Sequence, residues 1–118
     1  MKKAVFLVSK IWTYYAGVSR PDGGFGLPGG KLDENETLID ALYREAKEEG
    51  WELHSDTKFN LVHHQVVDGE FDCYWLKSSD SPNKLSYYKE MERKIYPILL
   101  TKEQIFESGM GNENLILT

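Results

Sequence analysis

Residues 26–50 of the chain read GLPGGKLDENETLIDALYREAKEEG, a glycine-rich stretch that runs into an acidic one. In its second half the apolar residues fall at helical spacing: Leu38, Ile39, Leu42 and Ala46. Gly50 follows them at the place where a left-handed residue commonly ends a helix. The pattern predicts one amphipathic helix over residues 37–49. A loop is predicted over residues 20–30, where glycine and proline interrupt regular structure.

Three glutamates share one side of the predicted helix. Glu45, Glu48 and Glu49 are spaced i, i+3 and i+4, so their carboxylates project from neighbouring points. Like charges at this spacing repel unless a cation compensates them, and oxygen ligands suit Mg²⁺ or Mn²⁺. Charged helix faces are common, so the cluster alone does not establish a metal site.

The order of residues around the cluster is more specific. Gly30 is followed after five residues by Glu36, and after seven more by Arg44-Glu45-Ala46-Lys47-Glu48-Glu49. This order resembles the Nudix box, the signature of the Nudix hydrolase superfamily, and residues 26–31 are similar to the family's usual lead-in. A chance match of six fixed residues has a probability on the order of one in ten million per starting position.

The resemblance implies a fold and a set of ligands. The expected fold class is α+β, with a mixed β-sheet sandwiched between helices. The implied ligands of Mg²⁺, or of Mn²⁺, are the carboxylates of Glu45, Glu48 and Glu49 and the carbonyl of Gly30. Glu36 and Arg44 are implied as partners, with the guanidinium bridging Glu36 and a ligating carboxylate. Metal ions in such a site neutralise diphosphate oxygens and activate the water that attacks phosphorus.

One position departs from the family pattern. A further residue normally separates the last glutamate from the closing glycine, whereas Gly50 follows Glu49 directly. We expect the deletion to change how the helix ends and to leave the spacing of the three glutamates intact. Small displacements of catalytic groups can slow a reaction greatly, so a catalytically inactive nucleotide-binding sensor is the alternative of another class.

Residues outside the signature complete the candidate site. Similar MutT-like enzymes often carry a later acidic residue that binds metal or water, and here the prediction is Glu90, with Glu92 second. Arg20 and Lys31 flank the glycine-rich loop and are candidates for contacting substrate phosphates. Asn112 lies in a region that resembles the base-recognising asparagine region of MutT-like proteins, although asparagine beside glycine is more often a turn residue.

Strand-like segments surround the helix. They cover residues 4–8, 12–18, 51–54, 59–67, 71–77 and 95–100, and the first two form either two strands or one bulged strand. Asp68-Gly69 predicts a hairpin turn, and Thr101 is the predicted N-cap of a short helix over residues 102–108. Residues 85–94 are ambiguous. A chain of 118 residues is expected to form a single domain over residues 1–118.

Composition limits the location and the partners. The apolar run over residues 4–8 is too short for a membrane span or signal peptide, and the lone Cys73 fits a reducing compartment, so a cytoplasmic protein is expected. No basic stripe interleaved with aromatic residues occurs, so extended nucleic-acid binding is not expected. The expected partner is a nucleotide substrate, and the expected state is a monomer or a homodimer.

The favoured activity is hydrolysis of an ordinary or modified nucleoside triphosphate to a monophosphate and pyrophosphate. The alternative substrate is a dinucleoside polyphosphate, a nucleotide sugar or a capped RNA end. The same signature can cleave any of these when different loops surround it. A structural helix with an accidental charge cluster is the remaining interpretation. It predicts that Glu48→Gln leaves activity unchanged.

Overall fold

The computed structural model describes residues 1–108, in which strands predominate. The strands are β1 (Lys2–Val8), β2 (Lys10–Ile11), β3 (Tyr14–Ser19), β4 (Phe25–Gly26), β5 (Gly29–Lys31), β6 (Trp51–Glu52), β7 (Phe59–Val67), β8 (Phe71–Ser78), β9 (Asn83–Lys84) and β10 (Tyr96–Leu100). The helices are α1 (Leu38–Glu48), α2 (Lys102–Glu107) and a 3₁₀ helix (Lys89–Arg93). No helix within residues 1–108 is long and apolar enough to cross a membrane.

The main sheet has four strands in the order β5-β1-β8-β7. Strand β1 is parallel to β8 and antiparallel to β5, and β7 pairs antiparallel with β8, so the sheet is mixed. A second, antiparallel sheet has the order β10-β3-β2, with β4 added to β3, and β6 pairs with β9 in a short ladder. The predicted mixed sheet is confirmed.

The two faces of β1 contribute to two different cores. Val5 and Leu7 pack into the cluster that contains the buried face of α1, whereas Ala4 and Val8 pack into the cluster that contains Ile105 of α2. Successive side chains of a strand point to opposite faces, so the main sheet lies between contributions of the two helices. This arrangement confirms the predicted fold class. A fully buried Leu or Val stabilises the fold by roughly 1.5–3 kcal/mol.

The helix α1 begins and ends where the sequence indicates. Thr37 caps it, because its hydroxyl accepts a hydrogen bond from the Asp40 N–H at 3.1 Å. Glu49 is the C-cap, and Gly50 follows with φ +100°, a conformation that favours glycine. A Cβ added to Gly50 would lie 2.7 Å from Cγ of Pro97 on β10. The shortened signature thus closes with a glycine packed against β10.

Several sequence predictions differ from the structure. The loop predicted over residues 20–30 contains β4 and β5, because pairing with β3 and β1 outweighs the low strand propensity of glycine. The strand predicted from residue 12 starts at Tyr14, since Trp12 has φ +61° and lies in a turn. The ambiguous segment contains the 3₁₀ helix. The hairpin turn is confirmed, with positive φ at Asp68 and Gly69.

Candidate active site

Strand β5 brings backbone against two of the signature glutamates. The Gly29 N–H donates a hydrogen bond to Oε1 of Glu49 at 2.8 Å. A Cβ added to Gly30 would lie 2.6 Å from Cδ of Glu45, so only glycine leaves room for that carboxylate. Gly29 has φ +148°, and a Cβ there would lie 2.1 Å from the Val5 carbonyl oxygen. The glycine pair therefore allows β5 to approach both β1 and the acidic side of α1.

Arg44 connects the start of the signature to its end. Its Nε and Nη2 bind the two carboxylate oxygens of Glu36 at 2.8 and 2.9 Å, a bidentate pair. Its Nη1 donates to Oε1 of Glu45 at 2.9 Å and lies 3.5 Å from Oε1 of Glu48. Nη2 also donates to the Lys31 carbonyl at 3.0 Å, which ties α1 to β5. The planar guanidinium can satisfy all of these acceptors at once, which an ammonium cannot.

Asp33 supports this network, although no sequence pattern predicted it as a site residue. Its N–H donates to Oε1 of Glu36 at 2.7 Å, and its carboxylate lies 3.4 Å from Nε of Arg44. The hydrogen bonds from Arg44 and from the Asp33 backbone lower the pKa of Glu36 to about 2. Burial acts in the opposite direction and is outweighed by these hydrogen bonds. Glu36 therefore remains ionised and holds the guanidinium in place.

Two carboxyl groups at the end of α1 are harder to ionise than carboxyl groups in water. Burial, assisted by the charges of Glu45 and Glu90, raises the pKa of Glu49 to about 8, although the Gly29 N–H and Arg20 act in the opposite direction. Burial also raises the pKa of Glu45, against the hydrogen bond from Arg44. Both groups are thus poorly stabilised as anions, so the site favours the approach of a cation.

The 3₁₀ helix brings Glu90 to the same place. Its charge raises the pKa of both Glu45 and Glu49, and its side chain is only 16% exposed. The neighbouring Glu92 is exposed. Arg20 lies close enough to Glu49 to lower its pKa. The structure therefore gathers Glu90 and Arg20 beside the signature glutamates, although they are distant in sequence.

The other two predicted substrate contacts are not brought into this cluster. Lys31 is opposite Ala4 in the β1–β5 pair, and its Nζ lies 5.0 Å from the centre of the Phe71 ring. Opposed residues of an antiparallel pair share a face, so the Lys31 ammonium lies on the sheet face away from α1. Asn112 lies outside the described residues.

The side chains fit a divalent cation by chemistry and by charge. Glu45, Glu48 and Glu49 offer carboxylate oxygens, and Gly30 lies directly against Glu45. Within residues 1–108, however, no three acidic, histidine or cysteine side chains converge closely enough to hold an ion. The reason is visible in the hydrogen bonds, since Arg44 binds Glu45 and the Gly29 N–H binds Glu49. Metal binding therefore requires these carboxylates to reorient.

Comparison with known proteins identifies the family. The model of the NUDIX domain matches residues 2–95. No curated protein matches the chain. The fold is similar to a MutT NUDIX hydrolase from Burkholderia pseudomallei, with a TM-score of 0.64, 20% identity, and coverage of 86% of this chain and 84% of that one. A MutT protein from Bacillus halodurans gives a TM-score of 0.69, 14% identity, and coverage of 100% and 81%.

A third similar structure is an ADP-ribose pyrophosphatase from Streptococcus suis. It gives a TM-score of 0.62 and 13% identity, and the match covers 98% of this chain and 87% of that one. At such identities the likeness shows the fold. The family match spans the complete signature and the 3₁₀ helix that carries Glu90. The chain therefore belongs to the Nudix family and is a Nudix-type pyrophosphohydrolase.

Proposed function

We propose that the chain hydrolyses a phosphoanhydride bond in a nucleoside-diphosphate-linked substrate, with Mg²⁺ or Mn²⁺ as the cofactor. The favoured substrate is a nucleoside triphosphate, converted to a monophosphate and pyrophosphate. The observation that carries the proposal is that Glu90 of the 3₁₀ helix lies close enough to Glu45 and Glu49, at the end of α1, for its charge to raise their pKa values. Oxygen ligands clustered in this way suit phosphate chemistry that uses a hard cation.

The proposed cation ligands are Glu45, Glu48 and Glu49, together with the Gly30 carbonyl. A divalent cation held by these residues would supply positive charge to the diphosphate and would make a water molecule easier to deprotonate. The raised pKa values of Glu45 and Glu49 support this assignment, because a nearby positive charge removes the cost of ionising them.

Three further side chains have roles in the proposal. Glu90 accepts the proton of the attacking water at its carboxylate. Arg20 donates hydrogen bonds to a phosphate oxygen, which its place beside Glu49 supports. Arg44 is a positioning residue that acts through Glu36 and Glu45. No covalent bond between enzyme and substrate is needed.

The similar structures and the C-terminal sequence bear on the choice of substrate. MutT proteins among the similar structures and the asparagine-containing segment at Asn112 favour a nucleoside triphosphate. An ADP-ribose pyrophosphatase and an ADP compounds hydrolase are also similar in fold, which keeps a nucleotide sugar or dinucleoside polyphosphate as the alternative. A capped RNA end is the further alternative. Lys31 and Asn112 remain proposed substrate contacts.

The test is a substrate panel. Phosphate and pyrophosphate release are measured from nucleoside triphosphates, dinucleoside polyphosphates, nucleotide sugars and capped RNA, with Mg²⁺ or Mn²⁺ and with a chelator. Pyrophosphate released only from triphosphates, and only with metal, is the expected result. Absence of turnover by folded protein across the panel, with nucleotide binding retained, would favour the inactive sensor. Retention of all three signature glutamates argues against that sensor.

We propose a single catalytic domain over residues 1–118, located in the cytoplasm, that acts as a monomer or a homodimer. The proposed roles of Glu45, Glu49 and Glu90 need no second copy, because these carboxyl groups influence one another within one chain.

A further inference from the structure

A cleft lies beside the carboxylate cluster, on the more exposed side of α1. It has a volume of about 300 Å³ and runs between the second half of α1 and the segment that enters the 3₁₀ helix. The residues that line it are Arg44, Lys47, Glu48, Tyr87, Tyr88 and Lys89. Three of these side chains are cationic and one is anionic, so the cleft is positive beside an acidic cluster.

Glu48 joins the cleft to the candidate active site. Its Oε1 lies 3.5 Å from Arg44, and its Oε2 lies 3.8 Å from Nζ of Lys89. Lys89 lines the cleft and begins the 3₁₀ helix, which packs against α1. A phosphate chain held at the carboxylate cluster would therefore enter the cleft as it extends past Glu48.

Two of the three cations in the cleft are available to a ligand. Arg44 is already bound to carboxylates and to a carbonyl. Lys47 is exposed and forms no ion pair with any residue of the described range 1–108. The Lys89 side chain is 72% exposed, and within the same range its ion pair is the one with Glu48 at 3.8 Å. A lysine in the last turn of a helix is commonly explained by the helix dipole. That explanation does not apply to Lys89, which lies on another element yet lines the same cleft.

We propose that this cleft binds the terminal phosphate of a nucleoside polyphosphate, with Lys47 and Lys89 as its charge partners. The inference rests on the proposed function and narrows its substrate class. A terminal phosphate carries more negative charge than a phosphate esterified to a sugar, so two ammonium groups favour a triphosphate over a nucleotide sugar. Tyr87 and Tyr88 also line the cleft, and a tyrosine hydroxyl can donate a hydrogen bond to phosphate.

The test compares two double variants that remove equal charge. Lys47→Gln/Lys89→Gln changes the cleft, and Lys58→Gln/Lys102→Gln changes exposed lysines outside it. For the cleft variant we expect KM for the triphosphate to rise roughly 10- to 100-fold, with a much smaller change in kcat. The cleft variant should lower kcat/KM for the triphosphate by a factor about tenfold or more larger than for a nucleotide sugar. The control should behave as wild type.

A binding measurement separates this inference from the proposed function. Calorimetry with inorganic tripolyphosphate needs no turnover, and the Kd should rise about tenfold or more in the cleft variant only. Three results would each overturn the inference. They are failure of wild type to bind tripolyphosphate, an equal effect in the control variant, and unchanged KM and Kd in the cleft variant. A further contradicting outcome involves Tyr87→Ala. If this variant weakens turnover of dinucleoside polyphosphates only, while the cleft variant leaves triphosphate turnover unchanged, the cleft binds the second nucleoside and not a terminal phosphate.

Discussion

The helix α1 and the 3₁₀ helix both place acidic groups at the candidate active site, yet they are held very differently. At the end of α1, Arg44 donates hydrogen bonds to both Glu45 and Glu36, and the Gly29 N–H donates one to the C-cap residue Glu49. On the 3₁₀ helix no residue is buried, and among the described residues 1–108 the Glu90 carboxylate has one ion-pair partner, Arg93 at 3.9 Å. One region is fixed by a dense network, and the other is loosely attached.

The two ways of holding acidic groups suit two different tasks in phosphate cleavage, namely binding a cation and accepting a proton from water. The helix and the bidentate Glu36–Arg44 pair hold the backbone of the proposed cation ligands in place, and the carboxylates themselves turn toward a cation. A group that accepts a proton from water must reach its target and withdraw, which a loosely held segment permits. We therefore expect substitution of Arg44 or of the signature glutamates to change the dependence of the rate on metal, and substitution of Glu90 to lower kcat without changing that dependence.

The largest contrast is expected on the 3₁₀ helix itself. Glu90→Gln should lower kcat by about 100-fold or more, because the amide cannot accept the proton. Glu92→Gln is the matched control, since Glu92 is two residues away and exposed, and should stay near wild type. Steady-state kinetics on the best substrate gives both values. Equal activities of the two variants would remove Glu90 from the mechanism.

Breaking the α1 network should have a smaller effect on rate. Arg44→Lys keeps the charge but loses the bidentate pair with Glu36, so catalytic efficiency should fall about 10- to 100-fold. The Mg²⁺ concentration that gives half-maximal rate should rise in the same variant. A fall in kcat with unchanged metal dependence would show that Arg44 does not act through the carboxylates.

The smallest effect is expected where the helix ends. Gly50→Ala forces a side chain into φ +100° and within 2.7 Å of Pro97, which should cost about 1–3 kcal/mol of unfolding free energy. Gly69→Ala is the control, because Gly69 also has a positive φ but no atom within 4 Å of its added Cβ. Denaturant unfolding measures the difference. Similar losses in both variants would mean that the Pro97 contact does not matter.

The same contrast explains what the sequence could predict. Helix α1 follows from local rules, namely the Thr37 cap, the apolar spacing and Gly50, and its prediction over residues 37–49 is confirmed. The strands β4 and β5 were missed because they form through pairing with distant strands, which glycine propensity does not reveal.

Side-chain positions outside the signature were harder to predict. The face on which Lys31 lies depends on its register with Ala4, a long-range property. Asp33 meets Arg44 across the turn before the helix, and no spacing rule singles it out. The approach of Glu90 to Glu49 joins segments some forty residues apart, so only the family resemblance pointed to it.

The central claim is that the signature glutamates hold a catalytic cation, and Glu48→Gln tests it most directly. Initial rates are measured over a range of Mg²⁺ concentrations for wild type, Glu48→Gln and the control Glu103→Gln, which lies on α2. We predict that Glu48→Gln lowers kcat by about 100-fold or raises the required Mg²⁺ comparably, while Glu103→Gln matches wild type. Full activity of Glu48→Gln at the same Mg²⁺ concentration, in a protein of equal or greater stability, would contradict the account.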